Sequence, residues 1–187
     1  MLRRLAALLV VVVVGCQAPA VAPTPLPAPV PTSAPPTPNS APPATSTGRV
    51  DVLKAADAAF AGGDLTTASG LYERVLNTPT TGEAAPTTAA INQYAHFRDM
   101  VSLLADGHED DAKTQLDALQ QADASAPFAR LANQLWDQYG MVGGLRGACA
   151  QVQPQIASQA GATLAALQSQ GLSVDPATLC SAPRGAG

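Results

Sequence analysis

Eleven of the chain's 17 prolines fall between Gln17 and Gly48, in a tract with no charged residue, no aromatic and no apolar periodicity. Such a stretch has too little hydrophobic surface to offset the entropy of ordering it, so it is expected to be a disordered linker. Frequent prolines hold the backbone near polyproline II, and these 32 residues reach roughly 100 Å at ~3.1 Å per residue if fully extended. Folding is therefore left to segment 49–187, about 140 residues, enough to bury one core of its own. Eight Ser and Thr residues among the prolines also suit O-glycosylation.

From Arg49 onward the composition turns alanine-rich and the apolar spacing turns helical. Val52, Ala55, Ala56, Ala59 and Phe60 share one face of a first helix; Gly62 and Gly63 end it. Asp64 can cap a second helix whose stripe is Leu65, Ala68, Leu71, Tyr72, Val75 and Leu76. A second hairpin spans Thr87 to Ala122, turning at Asp106-Gly107-His108, with Ala112, Leu116 and Leu119 packed. A third starts at Pro127 with Phe128, Leu131, Leu135 and Trp136, turns at Gly143-Gly144 and continues through Leu145, Ala148 and Val152. A last helix, from Gln155 to Gln170, has Gln155, Ser158, Gln159, Gln168 and Gln170 for a polar outer face. The expected fold is all-α: antiparallel helical hairpins stacked as a short solenoid with a C-terminal capping helix.

The run AAFAGGDLTTASGLYERVL resembles a tetratricopeptide repeat at Gly63, Asp64, Leu65, Ala68 and Tyr72. It departs from that pattern in lacking a tryptophan near Val52 and in the place of Pro79. Turn glycines 63, 107 and 143 are 44 and 36 residues apart, against about 34 in the family. The extra length falls between Thr78 and Pro86, where a loop tolerates insertion. The resemblance implies a domain over 49–187 whose concave face binds a protein or peptide.

The first residues, MLRRLAALLVVVVVGC, join Arg3 and Arg4 to an apolar run from Leu5 to Val14 that is too short to cross roughly 30 Å of hydrocarbon. That is the layout of a signal peptide, here residues 1–15. The segment resembles a bacterial lipoprotein signal, with Val13, Val14, Gly15 and Cys16 in the place of the lipobox, although leucine is more usual where Val13 stands. The resemblance implies cleavage before Cys16, diacylglyceryl transfer to its thiol and a membrane partner held through covalent lipid on the extracytoplasmic side. Residues 16–48 then become the lipidated cysteine and its tether. Two or three acyl chains at ~0.8 kcal/mol per buried methylene make such anchoring stable.

With Cys16 lipidated, Cys149 and Cys180 remain as an even pair in a compartment that can be oxidising, and they are expected to form a disulfide. Neither a CxxC spacing nor a neighbouring histidine points to a metal or redox site.

Removing Arg3 and Arg4 with the leader leaves eight basic residues against 14 acidic ones. Without a basic stripe, nucleic acid is a poor partner. His96, between Tyr94 and Phe97, reads as a packing residue and His108 as a turn residue. Asp106, Glu109, Asp110 and Asp111 lack the alternating oxygen ligands of a calcium loop and instead suit the positive end of a helix. No catalytic set, metal site or cofactor motif can be quoted. Trp136 reads as core, whereas Tyr139, Arg130 and Arg146 are candidates for a contact surface. The expected role is a lipid-anchored binding scaffold; the alternative is a structural lipoprotein linking membrane and cell wall, with a small-ligand receptor or enzyme ranked below both.

Overall fold

The computed structural model describes residues 46–181, with side chains from Gly48 onward. The leader, Cys16 and most of the proline-rich tract lie outside the described residues. Helices α1 (Ser46–Ala61), α2 (Leu65–Asn77), α3 (Ala85–Asp106), α4 (Glu109–Asp123), α5 (Pro127–Val142) and α6 (Leu145–Ser169) follow in order, with no strand among the described residues. They form stacked antiparallel hairpins α1/α2, α3/α4 and α5/α6. Helix α1 takes in the last residues of the segment expected to be linker, since it starts at Ser46.

Local chemistry explains the breaks. Gly63, Gly107 and Gly143 have φ of 82°, 82° and 69° at the three hairpin turns, a left-handed backbone that costs glycine little. After α3 the His108 N–H donates to the Leu103 carbonyl at 2.9 Å, closing the helix end. Asp64 caps α2 as expected, its carboxylate accepting from the Thr67 N–H at 3.1 Å. Pro86 and Pro127 stand in the first turns of α3 and α5, where a missing N–H leaves no helical bond unmade.

Two expectations are corrected. The buried stripe of α1 is Val50, Leu53, Ala56 and Phe60, whereas Ala55 is exposed and Val52 and Ala59 are half-buried. Leu53 removes more apolar area from water than an alanine does, and Asp57 finds partners on the inner face, so the helix is rotated relative to the alanine-based reading. The second correction concerns the C-terminal helix. The partner of α5 and the capping helix are one continuous helix of 25 residues, α6, with Pro154 inside it. Pro154 and Ala150 are both exposed, so water can reach the turn in which the proline leaves a carbonyl without its helical donor. The buried face runs unbroken through Val152, Ile156, Ala160, Leu164 and Leu167.

The stack has one central member. Helix α3 packs on each of the other five helices, and α6 reaches it as well as its hairpin partner α5. Tyr94 meets Phe128 edge-on with ring centroids 6.0 Å apart, and Phe97 meets the same ring at 5.2 Å, which ties α3 to α5. After α6, Gly171 turns the chain at φ 87°. Leu172 to Asp175 then alternate buried and exposed as an extended segment does, and Leu179 and Cys180 are buried again. Cys149 and Cys180 are joined by a disulfide, with Cα atoms 5.3 Å apart, which returns this tail to the start of α6.

Candidate functional site

The inner face of α1 and α3 carries a polar cluster within the apolar core. Asp57 on α1 accepts from the hydroxyls of Tyr72 and Tyr94, each at 2.6 Å, and from Arg98 Nε at 3.1 Å. Arg98 Nε also donates to the Tyr72 oxygen at 3.2 Å. The guanidinium carbon of Arg98 lies 4.1 Å from the centre of the Phe60 ring, at cation–π distance. The last donor places the site: Arg98 Nη1 donates to the backbone carbonyl of Leu179, in the tail, at 2.6 Å.

The cluster holds its protons. Burial, followed by the neighbouring Asp57 charge, drives the Tyr72 and Tyr94 hydroxyls well above the ordinary tyrosine value, against the opposing pull of Arg98. Burial works against the charged form of Arg98, but the Asp57 carboxylate and the hydrogen bond to the Tyr72 oxygen favour it, and the guanidinium stays above its ordinary value. At neutral pH the group is a fixed ion pair with two phenolic donors, suited to holding hydrogen-bonding atoms in place.

A cavity of about 470 Å³ opens beside this cluster. Its floor is Asp57 and Phe60 of α1 with Tyr94 and Arg98 of α3, and its roof is the tail, including Val174, Asp175 and Leu179. The tail is held by its buried side chains Leu172, Val174, Leu179 and Cys180 and also by its backbone. Gln153 donates through Nε2 to the Pro176 carbonyl and accepts through Oε1 from the Cys180 N–H at 3.2 Å. Gln168 Nε2 donates to the Val174 carbonyl at 3.2 Å. The inner face therefore already carries a segment of the same chain, extended over Leu172 to Asp175 and turned over Pro176 to Cys180.

A second buried ion pair organises the opposite end of α3. Arg49, fully buried, donates to Glu83 Oε2 at 2.7 Å, to the Val75 carbonyl at 3.2 Å and to Asn92 Oδ1. It pins the loop between α2 and α3 beside a hollow of about 540 Å³ lined by Glu83, Asn92, His96 and Leu119 among others. His96 is half-buried, with Nδ1 2.7 Å from Gln115 Oε1, and burial lowers its pKa.

The sequence-derived candidates are scattered. His108 precedes α4 and lies 3.4 Å from Asp106 and 3.7 Å from Asp111, while Glu109, Asp110 and Asp111 occupy the first turn of α4. No group of three or more potential metal ligands is assembled among the described residues. Trp136 and Tyr139 stack with centroids 6.4 Å apart, and the Tyr139 hydroxyl donates to Glu109 Oε1 at 2.8 Å. Arg146 instead lines a hollow of about 250 Å³ with Cys149, Gln153 and Ser181, so it does not share a site with Tyr139. Arg130 is exposed and lines neither hollow.

Sequence reasoning missed the Asp57, Tyr72, Tyr94 and Arg98 cluster. Local spacing gave no signal for it: at about 100° per residue, Asp57 falls off the face of α1 assigned to packing, and only the rotation of that helix brings it inward. No helix among the described residues is long and apolar enough to cross a membrane. Comparison of the chain with protein-family models, curated proteins and solved structures finds no match in any of the three.

Proposed function

We propose that this protein is a lipid-anchored, extracytoplasmic scaffold that binds an extended peptide or protein segment along the inner face of α1 and α3. The observation that carries the reading is the hydrogen bond from buried Arg98 to the Leu179 carbonyl, beside a cavity of about 470 Å³. A side-chain donor fixed by its own counter-ion and aimed at a backbone carbonyl is a device for holding a peptide backbone independently of its side chains. The tetratricopeptide-like first hairpin supports the scaffold role, and the leader with Cys16 supports the membrane address.

Two experiments test it. A Cys16→Ser variant is expected to leave the membrane fraction; unchanged retention rejects lipid anchoring at that residue. A photo-crosslinking amino acid at exposed Ala61, beside the cavity, is expected to capture a protein partner in intact cells, and an Arg98→Ala variant that still folds by circular dichroism is expected to lose it. Recovery of wall polymer alone favours the alternative role, a structural link between membrane and wall.

A further inference from the structure

The segment that roofs the cavity is held as a bound peptide is held. Leu172 and Val174 are buried while Ser173 and Asp175 between them are exposed, the two-residue alternation of an extended strand lying on a surface. Arg98, Gln153 and Gln168 bind its backbone at Leu179, Pro176, Cys180 and Val174. No helix–helix packing of its own secures it. Its far end is fastened covalently, to a cysteine 31 residues earlier.

Both cysteines are buried, but one of them borders a surface hollow. Cys180 is fully buried, but Cys149 keeps 6% exposure and opens, with exposed Arg146, onto the hollow of about 250 Å³. A cationic side chain at that mouth favours the approach of an anionic thiolate.

We propose that Leu172–Cys180 is a resident occupant of the peptide groove and that the Cys149–Cys180 disulfide is the lock deciding whether a partner strand can replace it. The proposal rests on the scaffold reading above and names its regulation. The displacing partner is an extended segment with aliphatic residues at alternate positions, matching Leu172 and Val174, and a free backbone carbonyl for Arg98. A dithiol reductant opens the lock. Its thiolate attacks Cys149 Sγ, the S–S bond breaks and Cys180 leaves as a thiolate that takes up a proton. The second thiol then attacks the mixed disulfide and releases Cys149, so two electrons and two protons reach the protein and the reductant departs as its own disulfide. The loosened tail remains tethered at Gly171 and becomes exchangeable.

The test uses the full chain, oxidised and after treatment with dithiothreitol under native conditions. Hydrogen exchange at amides 172–180 is expected to rise on the order of a hundredfold on reduction, as loop-closure entropy is lost, while amides of α1 to α5 that exchange through local openings keep their rates. A labelled peptide with the sequence of residues 171–181, with serine at position 180, is expected to bind the reduced chain at least about tenfold more tightly than the oxidised one, because the covalent lock no longer holds the competing tail in place. A Cys180→Ser variant should match the reduced chain without reductant. Gln153→Ala, which keeps the disulfide, should raise tail exchange less than reduction does. Unchanged tail exchange, a reduced tail as well protected as the core of α1 to α5, or equal peptide binding by both forms overturns the lock. A crosslink at Ala61, which lines the cavity but lies outside the tail, separates the two readings: a protein partner captured equally by both forms overturns the lock and leaves the scaffold, whereas capture of none by either form overturns the scaffold as well.

Discussion

Single residues set the stability of the inner face. Removing the Asp57 carboxylate leaves Arg98, only 6% exposed at its side chain, without its counter-ion. An Asp57→Ala variant is therefore expected to lose about 3–5 kcal/mol of unfolding free energy, and Asp57→Asn less, because an amide oxygen still accepts hydrogen bonds; urea unfolding measures both. Asp99 behaves oppositely. It is fully buried on α3, accepts from the Ser69 hydroxyl at 2.6 Å through Oδ1, and has no cation beside it; burial pushes its carboxyl up to about 7. A folded pKa above the unfolded one means that the stabilising contribution is present below about pH 4 and is lost as pH rises through 7. Asp99→Asn is expected to match the parent near pH 4 and to exceed it by on the order of 3 kcal/mol at pH 8. Urea titrations of both proteins across that range check it, and equal stabilities at pH 8 reject it. His96 opposes this trend in the parent, since burial lowers its pKa and stability falls as pH drops below its ordinary value. Comparing the two proteins cancels its effect.

At the level of elements, the turns were readable because they follow local backbone rules. Gly63, Gly107 and Gly143 mark the three hairpins, and Ala112, Leu116 and Leu119 on α4 are buried as the spacing predicts. The end of a helix is less local. A separate last helix is expected from Gln155, yet α6 runs unbroken through Pro154 because its buried face continues on both sides and its solvent face lets water meet the unpaired carbonyl. Pro154→Ala is expected to stabilise the domain by about 1–2 kcal/mol, restoring a helical N–H. A lower melting temperature in the variant contradicts the account. The rotation of α1 has a similar origin: local spacing counts alanines and leucines alike, whereas burial favours the larger side chain and must also place Asp57.

For the whole molecule, the disulfide and the buried ion pairs link segments far apart in sequence. Cys149–Cys180 closes 31 residues around α6 and the tail, a loop to which chain entropy assigns roughly 3.5 kcal/mol. Reduction is expected to lower the unfolding free energy by about that amount or less while the helix content at 25 °C stays unchanged, as read by urea unfolding and far-ultraviolet circular dichroism. Helical content lost on reduction at 25 °C runs against this. The Arg49–Glu83 pair, 34 residues apart, fastens the start of α1 to a loop that sequence reasoning treated as a free insertion.

From the sequence alone come the all-helical class, the three hairpin turns, most of the buried stripes and the pairing of Cys149 with Cys180. Glycine conformation, helical periodicity and the chemistry of a cysteine pair are written within a few residues or in residue type. Tertiary structure alone decided that α3 is the centre, that α6 is unbroken, and that Asp57, Tyr72, Tyr94 and Arg98 converge beneath the chain's own tail. Those outcomes depend on which faces meet after folding and on how buried charges find partners tens of residues away, and no local pattern carries that information.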